Sequence, residues 1–235
     1  MRAEAVTAHL WGAAEDAPEE QTQAYPEKIH PVVASWTPEK FAQEQICSLV
    51  RQVFSPLLKR PVRQVVFSGV EPHTDVYGIC MSVAATLAKE VSRDVALVGL
   101  SNDGTTRIEM GEPDLPNGRQ QYSALRESAI HVRRNLWLLR PNEGNGASSF
   151  HAYLGEIRRE FEYSVILAPP AGDSNGAAMM AQVADGLVLV LSAGRTRRAT
   201  ACRIRRSLDD AQVRLLGVVL SDREFPIPDR IYRRL

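Results

Sequence analysis

Short apolar runs recur along this chain at 62–68, 94–100, 136–139, 163–168, 187–192 and 214–221. Stretches of helical character lie between them. A strand of four to eight apolar residues without polar alternation is one covered on both faces. Helices of roughly 10–16 residues between such strands return the chain to the same edge, so each next strand runs parallel to the last. The pattern predicts an α/β fold: a doubly wound, mostly parallel sheet with helices on both faces. One junction constrains it further. Val65–Ser68 runs into Gly69-Val70-Glu71-Pro72 and then into Val76–Lys89, a helix rich in small residues. That strand–loop–helix is the setting of a P-loop, in which backbone N–H groups, a lysine and a Ser/Thr hydroxyl hold phosphates and magnesium. Here the loop reads GVEPHTDVYG. The closing Gly-Lys-Ser/Thr is missing, and no lysine occurs between Arg60 and Lys89. The scaffold is expected without its chemistry.

The remaining organisation follows from pattern and composition. The chain has 235 residues, 44% of them hydrophobic, enough for a large packed core. Formal net charge is zero, so no global field favours nucleic acid or an anionic membrane. Residues 1–35 hold six acids against Arg2 and Lys28, without sustained periodicity. Residues 1–36 are therefore expected to be a flexible acidic arm, and 37–235 a single P-loop NTPase-like domain. Thr37 is placed as the N-cap of a helix with Pro38 in its first turn. Further helices are expected near Gln120–His131, Phe150–Glu160, Gly176–Ala184 and Thr196–Asp210. Cys47, Cys80 and Cys202 are scattered, have no metal spacing and fit a reducing compartment. No apolar run approaches the roughly 20 residues of a membrane span, and a cytoplasmic location is expected.

Other chemistry finds little support. His73-Thr74-Asp75 offers two ligands and no third, whereas Thr74 or Asp75 is a natural cap for the following helix. Cys80, among Gly78, Ile79 and Met81, reads as a buried, inert thiol. No serine sits on a Gly-x-Ser-x-Gly elbow. On the penultimate helix, Arg195, Arg198 and Arg205 form part of a basic stripe. It could face nucleic acid, acidic lipid, solvent or a protein.

Several phrases together resemble the cytoplasmic tyrosine-kinase domains of bacterial exopolysaccharide and capsule systems, relatives of the MinD and ParA ATPases. Asn135–Pro141 (NLWLLRP) is similar to that family's "NLWLLPAG", and Arg158–Ile166 (RREFEYSVI) to its "REEFDYVII". Ala184–Thr196 (ADGLVLVLSAGRT) is similar to "DGVLLVVRAGKT", and Leu216–Leu220 (LGVVL) to "LGVVLN". The resemblance covers roughly residues 40–235.

Carried over residue by residue, it leaves the catalytic positions empty. The lysine of the phosphate loop falls at Val76 and the following Ser/Thr at Tyr77, behind the retained Gly69. The two aspartates of the family's "LLIDAD" fall at Gly99 and Ser101. The aspartate of "IIDTPP" falls at Leu167, ahead of a retained Pro169-Pro170. Phosphoryl transfer is positioning plus neutralisation of developing charge, and losing one such contact costs about 3 kcal/mol or more. No catalytic residue, metal site or bound nucleotide is therefore expected. The family's tyrosine-rich tail is reduced to Tyr232. Its ring-forming Glu-x-x-Arg-x-x-Arg keeps Glu44, has Cys47 for the first arginine and places Arg51 one position late.

The resemblance implies a non-catalytic cytoplasmic component of exopolysaccharide or capsule biosynthesis and export. Its implied partner is the cytoplasmic part of a membrane polysaccharide co-polymerase, with Arg195, Arg198, Arg205 and Tyr232 as candidate contacts. Two alternatives remain open. One is an ATP- and magnesium-binding tyrosine kinase or ATPase with an altered site; the other is a ParA- or MinD-like positioning protein.

Overall fold

The computed structural model describes residues 7–9, 37–55, 60–99, 124–133, 135–140 and 147–222. In chain order the elements are β1 (Thr7–His9), α1 (Pro38–Val53), β2 (Gln64–Gly69), α2 (Val76–Glu90), β3 (Val95–Val98), α3 (Ala124–Glu127), β4 (Ile130–Arg133) and β5 (Leu136–Leu139). Then follow α4 (Ala147–Glu160), β6 (Tyr163–Leu167), α5 (Gly176–Val183), β7 (Gly186–Ser192), α6 (Arg198–Asp210) and β8 (Leu215–Ser221). All strands join one sheet in the order β1-β8-β7-β2-β6-β3-β5-β4. The strands from β8 to β5 run parallel, and the two edge strands β1 and β4 pair antiparallel.

Successive side chains of each central strand enter opposite cores, which is why those strands read as unbroken apolar runs. Val65 and Phe67 of β2 face α1 and α2, while Val66 faces the layer of α4, α5 and α6. Val95 and Leu97 against Ala96 and Val98 repeat the alternation in β3, and Leu136 and Leu138 against Trp137 and Leu139 do so in β5. Helix α1 begins as its sequence dictates. The Thr37 hydroxyl accepts from Lys40 N at 3.2 Å, Pro38 sits in the first turn, and Ile46, Leu49, Val50 and Val53 form the buried stripe.

Three expectations need correction. Thr7–His9 of the supposedly flexible arm forms β1, pairing Thr7 with Leu220 and His9 with Val218. An unpaired edge of β8 leaves backbone donors and acceptors open, and a short extended segment satisfies them whatever its periodicity. The expected helix near Gln120–His131 is confined, among the described residues, to α3. Ile130–Arg133 alternates apolar with polar residues and is an edge strand against β5, with Ala129 N closing a turn on Arg126 O at 3.2 Å. Finally, α4 starts at Ala147 rather than Phe150. Among the described residues, no helix is long and apolar enough to cross a membrane.

Candidate functional site

Strand β2 delivers Gly69 to the C-terminal edge of the sheet, where the loop 70–75 leads into α2. The loop is folded onto itself and its neighbours. Val70 N donates to Val190 O at 3.0 Å, and Gly69 O accepts from Ala171 N at 2.8 Å, tying the loop after β6 to the end of β2. Thr74 N donates to Glu71 O at 3.2 Å and Val76 N to Thr74 O at 2.8 Å. The Asp75 carboxylate caps α2 by accepting from Gly78 N at 2.9 Å, the capping role anticipated for Thr74 or Asp75. A phosphate cradle needs free amide N–H groups aimed at the anion. Here the N–H groups of Val76 and Gly78 are already spent on Thr74 O and Asp75.

The hollow is also filled. A Cβ built on Gly69 would lie 3.0 Å from Thr74 Cβ and 3.0 Å from Val76 Cγ2, so both side chains crowd the position and a larger residue there would have to displace them. Thr74 and Val76 are buried, and the Thr74 hydroxyl accepts from Ser192 Oγ at 3.3 Å. The position to which the resemblance assigns a lysine thus holds a buried valine. The charge of the loop is wrong for a polyphosphate as well. It carries the carboxylates of Glu71 and Asp75, no lysine or arginine lies between Arg63 and Lys89, and the exposed His73 stands 3.7 Å from Glu71. Anionic oxygens brought here would meet repulsion rather than neutralisation.

Two positions to which the resemblance assigns acids, Gly99 and Leu167, also lie together. Gly99 follows β3 with φ of 101° and donates its N–H to Leu139 O at 3.1 Å. A Cβ there would stand 2.9 Å from Leu167 Cβ and 2.9 Å from Leu167 O. Leu167 ends β6, partly buried against the core under α1 and α2. Two positions read as former carboxylates therefore hold a packed leucine and a glycine fitted around it. Ser101 and Tyr232 lie outside the described residues. Among the described residues, no three His, Cys, Asp or Glu side chains gather as metal ligands.

Tyr77, beside the loop, has its phenol raised by burial and secondarily by Asp75, and its hydroxyl is shielded without a hydrogen-bond partner. Burial, with Asp75 adding to it, pushes the Cys80 thiol up, so Cys80 is the inert core cysteine its sequence context suggested. The arginines stand elsewhere. Arg195 is exposed on the turn after β7, Arg198 opens α6, and Arg205 lies 3.7 Å from Asp209. Helix α6 packs on the sheet face opposite α2, whereas Arg195 sits at the strand end of Ser192, which bonds Thr74 of the loop. Sequence reasoning missed the bonds from Ala171 to Gly69 and from Ser192 to Thr74, which join segments far apart in the chain. Its one available signal was the glycine at 99, where the resembled family has an acid.

No family profile matches the chain. A stretch of 72 residues is 32% identical to the tyrosine-protein kinase CpsD of Streptococcus agalactiae, and it spans 31% of this chain and 31% of that protein. The fold is similar to the kinase domain of the Escherichia coli tyrosine kinase ETK, with a TM-score of 0.62 at 15% identity, covering 89% of this chain and 88% of that one. It is also similar to a ParA family ATPase from Chlorobium tepidum TLS, with a TM-score of 0.51 at 13% identity, covering 66% and 71%. The chain thus resembles bacterial tyrosine-protein kinases in a segment of sequence, and its α/β architecture is that of P-loop NTPases.

Proposed function

We propose that this protein is a non-catalytic relative of the bacterial tyrosine-protein kinases, a pseudoenzyme in which residues 37–235 act as one P-loop-type binding domain. The observation that carries this reading is the loop 69–76. Thr74 and Val76 pack against Gly69, the amides of Val70, Thr74 and Val76 are engaged, and the loop's charge is that of Glu71 and Asp75. Leu167 packed on Gly99 puts an apolar side chain where the resemblance implies an acid. Gly69, Val76, Tyr77, Gly99, Ser101 and Leu167 are vestigial positions in this reading, and neither nucleotide nor metal is a cofactor.

The role is that of a cytoplasmic regulatory or adaptor component in exopolysaccharide or capsule biosynthesis and export. It would be peripheral to the inner membrane through a protein partner, such as the cytoplasmic part of a polysaccharide co-polymerase. The four phrases resembling that branch support this context, and fold and active site are separable in evolution. Melting the protein with and without ATP and magnesium tests the central claim. A ligand at 100 times its dissociation constant adds about 2.7 kcal/mol, or roughly 5–11 °C for a chain of this size. The expected shift is nil. A saturable shift abolished by chelating magnesium would instead favour an active ATPase or kinase with an altered site.

A further inference from the structure

The segment from Arg195 to Arg214 carries seven arginines and two aspartates in a chain whose formal charge is zero. Arg195, Arg197, Arg198, Arg203, Arg206 and Arg214 are exposed. Helix α6 buries Ile204 and Leu208 against the sheet, so the positions between them turn outward. There a shallow groove of about 520 Å³ is lined by Ala199, Cys202, Arg203, Arg206, Ser207 and Asp210. Small side chains make its floor, and guanidinium groups flank it.

The helix holds these cations where its own electrostatics disfavour them. Arg197 and Arg198 stand at the N-terminus, the positive end of the helix dipole, with no acid in the first turn and no side-chain cap. Arg203 and Arg206, three apart on one face, repel each other. Nothing inside the fold is gained by that arrangement, whereas an arriving anion would relieve every one of these repulsions.

We propose that this face of α6 docks an acidic segment of a partner protein, with carboxylates received by Arg198, Arg203 and Arg206 and small side chains seated over Ala199 and Cys202. The inference rests on the reading of the chain as a binding component and names the partner's chemistry. Guanidinium forks match carboxylates in a bidentate, directional way. The α6 surface favours protein over the other polyanions. Asp210 lines one end of the groove, so its occupant must set its anions toward Arg203 and Arg206 and away from that carboxylate, which discrete carboxylates on a peptide can do and a continuous phosphate backbone cannot. A lipid surface would be held by charge alone, because Met179 is the one exposed large hydrophobic among the described residues and it lies on α5.

The test uses the full chain and fluorescence anisotropy or co-sedimentation with three probes. These are a labelled Glu-Ala repeat peptide, a short DNA duplex, and vesicles mixing phosphatidylglycerol with phosphatidylcholine. The peptide is expected to bind most tightly. R203E/R206E should weaken it at least about tenfold. R203Q/R206Q, a milder pair that guards against misfolding, should weaken it in part. R93E/R133E, the same charge change on exposed arginines elsewhere, should leave it unchanged. Absent peptide binding, equal binding by R203E/R206E, equal loss in R93E/R133E, or tighter binding of duplex or vesicles would each overturn the proposal. Nucleotide is left out of every arm. An ATP-induced melting shift would therefore defeat the non-catalytic reading without touching this result, and a failure here would leave the nucleotide result standing.

Discussion

Asp185 offers the sharpest test of how the sheet is held together. It sits between α5 and β7 with its side chain 14% exposed. Its Oδ2 accepts from Arg63 N at 2.8 Å and Gln64 N at 2.9 Å, its Oδ1 accepts from an Arg158 guanidinium nitrogen at 2.8 Å, and its own N–H donates to Gln64 O at 2.9 Å. One carboxylate thus clamps the start of β2 to α4 and β7. Amide hydrogen bonds to a charged acceptor contribute about 1.5 kcal/mol each or more, so Asp185→Ala should cost about 3 kcal/mol through the two amides. The half-exposed Arg158 adds less than about 1 kcal/mol. The expected fall in Tm is roughly 6–12 °C. Asp185→Asn keeps an oxygen for the amides and turns its NH₂ toward Arg158, for a loss of about 1–2 kcal/mol. Arg158→Ala should cost least.

The sign with pH is fixed by the same contacts. Burial alone would raise the Asp185 carboxyl, but the amides of Arg63 and Gln64 and then Arg158 outweigh it and hold the group below its ordinary value. The unfolded chain therefore takes up this proton at higher pH than the fold does. The contribution is complete above the unfolded carboxylate pKa of about 3.9 and fades as pH falls through the lower folded value. Scanning calorimetry of wild type, Asp185→Ala, Asp185→Asn and Arg158→Ala at pH 7, 5 and 3 reads this directly. The gap between wild type and Asp185→Ala should be equal at the two higher pH values and narrower at the lowest. A gap that stayed constant to the lowest pH, or Arg158→Ala as damaging as Asp185→Ala, would refute the amide-centred account.

Two further outcomes follow from the site. Gly99→Ala should destabilise by about 2–4 kcal/mol in urea unfolding, because φ of 101° strains a side chain and the new Cβ meets Leu167. Adding Leu167→Ala should cost less than the sum of the two single changes, and strict additivity would count against the contact. With Ellman's reagent at mildly alkaline pH, the exposed Cys202 should react at once and the buried Cys80 only after denaturation. Rapid labelling of Cys80 would mean that α2 opens in the native state.

The central fold was legible because it rests on periodicity. Strands buried on both faces leave unbroken apolar runs, and Thr37-Pro38 writes a helix start into adjacent residues. What the sequence concealed depends on distant partners. Nothing in Thr7-Ala8-His9 announces a strand, since the need that forms β1 lies on β8. Ile130 and His131 fall inside the helix expected near 120–131 because Leu125-Arg126-Glu127 are strong helix formers, and the short alternation of β4 is too brief to outweigh them. Arg126 shows the same limit. Its guanidinium lies 5.2 Å from the Trp137 ring centroid and 4.9 Å from that of Phe161 while pairing with Asp94 at 2.8 Å, an arrangement no local pattern encodes. At the site, the sequence shows that no Gly-Lys-Ser/Thr follows Gly69, but not the packing of Thr74 and Val76 on Gly69 or of Leu167 on Gly99.

The packing on Gly69 and Gly99 bears on the non-catalytic reading proposed above. A buried lysine or aspartate without its phosphate or cation is an unpaired charge, which costs several kcal/mol and loosens the surrounding core. Deleting such groups one at a time would leave a polar hollow that water must fill. Here the hollow is closed from both sides. Val76 and Thr74 pack on Gly69, Leu167 packs on Gly99, and the amide of Ala171 reaches the Gly69 carbonyl. In the non-catalytic reading, each of these side-chain contacts stands where the resembled family has a charge and contributes burial with nothing bound. A lysine or aspartate placed at Val76 or Leu167 would then set a charge against a closed apolar neighbour. The side chains packed on Gly69 and Gly99 would have to change together for a cation or carboxylate to be accommodated there.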